Sequence, residues 1–200
     1  TLTTSGDIDT SNDNVTFTRA VTLGGAVDID TNTGAGNILF SSTVATGDNN
    51  LSLDAGASGN ITLSGALTGG GAFTVRDGAV QSYQALTVDS LDIQDATTSV
   101  TLGGDVTTET TLDINTLTGK LIQNAKVDAG SSLDYDAAGT IEINKSIKSG
   151  TTIDIDATGV TTIAEAGDIT AGGAVTFGAN KSGTLTTSGD IDTSNDNVTF

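Results

Sequence analysis

Apolar and polar positions alternate in short triplets along the chain. Val27-Asp28-Ile29, Leu51-Ser52-Leu53, Phe73-Thr74-Val75, Leu91-Asp92-Ile93, Leu112-Asp113-Ile114, Leu133-Asp134-Tyr135, Ile153-Asp154-Ile155 and Val175-Thr176-Phe177 all read apolar-polar-apolar. Period-two alternation rich in β-branched residues predicts short strands with one buried face. No stretch carries a convincing apolar stripe at i, i+3, i+4 and i+7, so helices are not expected.

A second apolar column runs Val21, Val44, Leu67, Leu86, Val106, Val127, Ile147, Ile169 and Ile191, at spacings of 23, 23, 19, 20, 21, 20, 22 and 22. Gly36, Gly59, Gly78, Gly119, Gly139, Gly159 and Gly183 form a third column, with Thr98 filling its one gap. Each glycine shortly precedes an apolar triplet such as Ile61-Thr62-Leu63 or Ile141-Glu142-Ile143. We expect these glycines to serve tight bends that need positive φ.

A repeat of this length divides into three short strands and three bends. Stacked at the inter-strand spacing of about 4.8 Å, such coils build a parallel β-helix. A single coil is too small to fold alone and buries its Val, Ile and Leu only against its neighbours. The expected fold is therefore all-β: a right-handed parallel β-helix of about nine coils of roughly 20–23 residues each, about 43 Å long. We expect one continuous solenoid over residues 1–200, with no internal domain boundary.

The segment TLTTSGDIDTSNDNVTF at 1–17 returns unchanged at 184–200, an offset of 183 residues. Identity at seventeen positions, surface positions included, predicts a tandem array with a 183-residue unit: 1–183 is one copy and 184–200 opens the next. The 200 residues are then expected to be a window on a longer chain. From Ile191 to the next equivalent of Val21 is only 13 residues, which predicts a shortened coil at the junction.

Composition removes many functions. Cys, Pro, Met, Trp and His are absent, which excludes disulfides, thiolate zinc sites, cysteine nucleophiles and His-based triads. Against 25 acidic residues stand 7 basic ones, for a net charge of −18. That balance opposes nucleic-acid or anionic-membrane binding, which needs Lys and Arg against phosphate. Apolar residues make up 36% of the chain but aromatics only 4%, which suits an interior of small aliphatic layers. No run of 18 apolar residues and no signal-peptide pattern occurs in these residues, so no membrane insertion is expected of them.

The stretches AVDIDTNTGAGNILFSSTVATGDNNLSLDAGASGNITLSGAL (26–67) and ATTSVTLGGDVTTETTLDI (96–114) resemble the repeats of giant bacterial surface proteins, the filamentous-haemagglutinin-like β-helical adhesins and fibres. The likeness spans nearly the whole chain. It implies an extracellular, secreted rod at the bacterial cell surface, with contacts to host or neighbouring cells made by parts outside these residues. It supplies no catalytic or ligand residues.

The middle residues of the strand triplets should face outward, and Asp28, Asp92, Asp113, Asp134 and Asp154 hold five of these eight places. A second outward position adds Asp30, Asp54, Asp136 and Asp156. Coils in register would gather Asp134, Asp136, Asp154 and Asp156 into one patch, a candidate site for weak calcium binding, since calcium accepts six to eight oxygens in loose geometry. The alternative is a solvated acidic face whose self-repulsion keeps a long rod soluble. Lys145 and Lys148 are expected beside this patch as charge balance. Asn14, Asn37 and Asn60, spaced by 23, are expected to form a hydrogen-bonded ladder. The outward column mixes Thr, Ser, Asp and Glu, which argues against an ice-binding face.

A lyase on this scaffold would need basic residues beside acidic ones. Arg19, Arg76, Lys120, Lys126, Lys145, Lys148 and Lys181 share no column, so no enzyme and no catalytic residue is expected. The expected role is structural: a shaft segment of an extracellular fibre or repetitive adhesin. Its partner would be itself, through end-to-end stacking of coils and lateral bundling. The alternative is a calcium- or ligand-binding module on a β-helix.

Overall fold

A computed structural model of the chain describes residues 1–116 and 118–200. It contains twenty-nine strands of two to five residues and, among the described residues, no helix. The strands form three sheets of ten, ten and nine strands, and every pairing is parallel. The chain visits the three sheets in strict rotation, so each coil supplies one strand to each. The fold is a β-solenoid of about nine coils, as the sequence periodicity predicts.

The predicted columns are the sheets. Val21, Val44, Leu67, Leu86, Val106, Val127, Ile147, Ile169 and Ile191 lie in register along the first sheet. Leu2 extends that column by one coil, paired with Val21. The eight apolar-polar-apolar triplets lie in register along the second sheet, from Val27 to Val175. From Val21 to Ile169 in the first sheet and from Val27 to Phe177 in the second the apolar members point inward and are buried, while the middle residues line the outer surface.

The interior is a stack of thin layers of Val, Ile and Leu. Each such side chain contributes about 1.5–3 kcal/mol on full burial, and in a solenoid it is buried chiefly by the coils above and below. Two aromatic pairs lie in the interior: Phe17 stacks on Phe40 at 4.6 Å between ring centroids, and Phe73 meets Tyr83 edge-on at 5.7 Å. Gln81 and Gln123 also point inward and are fully buried. Their amide groups donate to the carbonyls of Asp95 and of Ala125 and Lys145.

The glycine column has a different cause from the one the sequence suggests. None of its seven members has a positive φ; the glycines that do are Gly47, Gly56, Gly69 and Gly178. The column exists because stacked coils approach closely at this corner. A β-carbon at Gly59 would lie 2.2 Å from the carbonyl oxygens of Gly36 and Ala55, and one at Gly183 would lie 2.2 Å from that of Gly159. Gly78 is looser, facing the Gln81 side chain at 3.2 Å.

The two copies of the identical segment occupy different sheets. At the start of the chain Leu2–Thr4 lies in the first sheet, Ile8–Asp9 in the second and Val15–Phe17 in the third. At the other end Thr184–Thr187 lies in the third, Ile191–Thr193 in the first and Val198–Thr199 in the second. Leu2–Thr4 is the first strand and Thr184–Thr187 the twenty-seventh, so 183 residues hold eight full coils and two further strands. The segment therefore returns out of phase by one sheet.

Candidate functional site

The outer face of the second sheet carries most of the order in the acidic residues. Asp92, Asp113, Asp134 and Asp154 stand side by side on four consecutive strands. Two residues further along each strand, Asn115, Asp136 and Asp156 form a parallel row. Asp134, Asp136, Asp154 and Asp156 are thus brought together as two adjacent pairs. Asp28 belongs to the same outward column but is separated from the ladder by Ser52 and Thr74.

Crowding shifts the protonation of this ladder. Asp134 is pushed up to about 6, first by desolvation within the stack, then by the charges of Asp113, Asp154, Asp136 and Asp156. Asp113 is raised by desolvation and by Asp92 and Asp136, and Asp154 by desolvation and by Asp156 and Asp136. A like charge one strand away disfavours ionisation, and partial burial adds to it.

The loop following Phe177 closes over one end of the patch. Asn180 donates its backbone N–H to Asp156 Oδ2 at 2.9 Å, and the Lys181 ammonium pairs with Asp136. Asp156 is left only 2% exposed. Lys148, expected here as charge balance, instead lies in the first sheet and faces Asp128 at 3.8 Å across exposed surface. The counter-charge comes from Lys181, one coil beyond Asp156. Among the described residues, no group of three or more carboxylates is arranged as a metal ion would require.

A second acidic cluster is held by Arg76. Its Nη1 donates to Asp28 Oδ2 at 2.8 Å and to Ser52 Oγ at 2.9 Å, and its Nε donates to Asp54 Oδ2 at 3.2 Å. Asp30 lies 3.7 Å from its Nη2. Arg76 is the extra residue of a bulge: Val75 pairs with Leu53 and Asp77 with Asp54, leaving Arg76 outside the register. The bulge turns its side chain back along the axis over two preceding coils.

The asparagine ladder forms as the spacing predicts. Asn14 Oδ1 accepts from the Asn37 backbone and side chain at 2.8 and 3.0 Å, and Asn37 Oδ1 accepts from Asn60 N–H at 2.8 Å. The pattern is wider than these three. Asn50, Asp105 and Asp168 likewise accept from a backbone N–H one coil on, at Ala72, Lys126 and Asp190. All of them tie one coil to the next.

In the last coil Phe200 stacks on Phe177 at 5.6 Å over a cleft that Ile155, Ala157 and Leu185 also line. No protein family, curated protein or solved structure matches the chain.

Proposed function

We propose that the chain is a shaft segment of an extracellular fibre or giant repetitive adhesin of the filamentous-haemagglutinin-like kind, lengthened by tandem copies of a 183-residue unit. The observation that carries this reading is the strict rotation of strands through three sheets, continued at 184–200 by the same residues that open the chain. Coil-on-coil hydrogen bonding lets length grow with copy number at constant width. In a tandem array each further copy continues the same three sheets, since an unpaired strand edge templates the next strand.

The charged groups support a structural role. Arg76 and Lys181 both neutralise carboxylates within the chain, and the acidic ladder gives a rod that repels its neighbours. The competing reading is weak calcium binding at Asp134, Asp136, Asp154 and Asp156. On the shaft reading, chelator and millimolar calcium leave the melting temperature unchanged; a rise of several degrees with calcium would favour the binding module.

The direct test is the contour length, by electron microscopy, of chains carrying one, two and three copies of residues 1–183. Each copy adds about 42 Å at constant width, from eight and two-thirds coils at the inter-strand spacing. Separate globules joined by linkers would contradict the shaft.

A further inference from the structure

We infer that tandem copies of the 183-residue unit are related by a threefold screw. Each copy is turned by two-thirds of a coil and advanced by about 42 Å relative to the one before. The inference rests on the tandem reading above and adds to it a direction for every face of every copy.

The two occurrences of the identical segment show its two sides. At 184–200 it is seen from below: Leu185 pairs with Thr161, Ile191 with Ile169 and Val198 with Val175. At 1–17 it is seen from above: Leu2 pairs with Val21, Ile8 with Ile29 and Val15 with Ile38. Superposing the two gives a coil with a complete neighbour on each side and no residue inserted or removed. Leu185, Ile191 and Val198 are partly buried against the core, as Ile8 is, so the apolar positions face inward in both settings.

An independent contact crosses the same junction. Phe200 stacks on Phe177, and its counterpart Phe17 stacks on Phe40. Phe177 belongs to the second sheet, whereas Phe17 and Phe40 belong to the third. With the one-sheet phase shift the two stacks become one aromatic column of three rings running from copy to copy. A junction that restored the original phase would place Phe17 and Phe177 on different faces.

The consequence concerns the surface. The second sheet of one copy continues as the third sheet of the next, so the ladder from Asp92 to Asp154 stops at each junction and resumes one face over. Over three copies, about 125 Å, it visits all three sides. A long shaft then has no acidic stripe along one side, and any partner that recognises one face meets it in three directions.

The 200-residue chain contains the junction and no Cys, so disulfide trapping reads the phase directly. Thr162 and Thr186 are exposed, in-register neighbours. Adjacent strands at about 4.8 Å fall within the Cα separation that a disulfide spans. T162C/T186C is expected to close on mild oxidation and T170C/T186C to stay open. In a three-copy array, cryo-electron microscopy is expected to show one face recurring only at every third copy. A continuous rod in which T170C/T186C closes and T162C/T186C does not would overturn the screw alone. Beads on a string would overturn the shaft reading and the screw together.

Discussion

Arg76 and Asp28 stand 48 residues apart in sequence, yet the guanidinium donates to the carboxylate at 2.8 Å across two coil boundaries. Asp54, in the coil between, is held at 3.2 Å by the same group. The Asp28 and Asp54 carboxylates raise the Arg76 pKa above its ordinary value, against the effect of burial. One side chain therefore staples three successive coils where like charges would otherwise face each other. Arg76→Ala leaves Asp28, Asp30 and Asp54 without that partner, and we expect a loss of about 1–2 kcal/mol in denaturant unfolding. Arg76→Lys should recover only part, because an ammonium lacks the planar fork that reaches both carboxylates. A variant that unfolds at the parent's midpoint would contradict the staple.

The two tyrosines are both fully buried but differ in their hydroxyls. The Tyr83 hydroxyl donates to Gln81 Oε1 at 2.9 Å, whereas the Tyr135 hydroxyl has no partner among the described residues. Removing a paired hydroxyl strands the other partner, while removing an unpaired one relieves a desolvation cost. Tyr83→Phe is expected to destabilise by about 1 kcal/mol and Tyr135→Phe to be neutral or stabilising by up to about 1–2 kcal/mol. Equal losses for the two, by thermal melting, would contradict this difference.

Gly59→Ala places a methyl group 2.2 Å from the carbonyl oxygen of Gly36 in the coil before it and 2.2 Å from that of Ala55 in its own bend, so coil spacing and bend must both give way. Overpacking of this kind costs about 1–3 kcal/mol, so the variant should melt clearly below the parent. Gly25→Ala, whose methyl would meet the coil beneath only at ordinary contact distance, 3.4 Å from Ser5 Cβ, should lie within about 0.5 kcal/mol of it. If both alanines were harmless, close approach of the coils would not be the reason for the column.

The acidic ladder should make the protein more stable in mild acid. The Asp134 carboxyl has a folded pKa of about 6, above its ordinary value of 3.8, so between those limits the folded state binds more protons than the unfolded one. The resulting stability is fully present below the unfolded pKa and is lost as pH rises through the folded one. Asp113 and Asp154 shift in the same direction. The melting temperature is expected to rise from pH 7.5 to pH 4.5 by about a few degrees. Asp134→Asn should flatten that dependence and raise the value at pH 7.5. A melting temperature that falls over this range would contradict the shifts.

How far the sequence speaks depends on what sets each contact. The inward columns were legible because each coil must return to the same three faces, so Val21 to Ile191 repeat at the coil length. The Asn14–Asn37–Asn60 ladder was legible for the same reason. The cause of the glycine column was not, since a glycine required by φ and one required by a carbonyl overhead look alike in sequence. Lys181 was missed because its contact crosses to another coil through a loop outside the strand pattern. Arg76 was missed because a bulge, invisible in the periodicity, aims it backwards. Ile191 keeps its place in the first column, but the change of sheet between the two copies of the segment was not legible, because identity shows that residues return, not to which sheet.

Distances between spin labels along the first sheet test coil-on-coil stacking most directly. Thr22, Thr107 and Thr170 face outward on that sheet, with Thr107 four coils and Thr170 seven coils beyond Thr22. With labels on Cys substituted at 22 and 107, and at 22 and 170, the account predicts separations of about 19 and 34 Å. These lie in the ratio of the coil numbers, broadened by the label linkers. Two similar distances, or a shorter one for the pair farther apart in coils, would show a compact globule and contradict the solenoid.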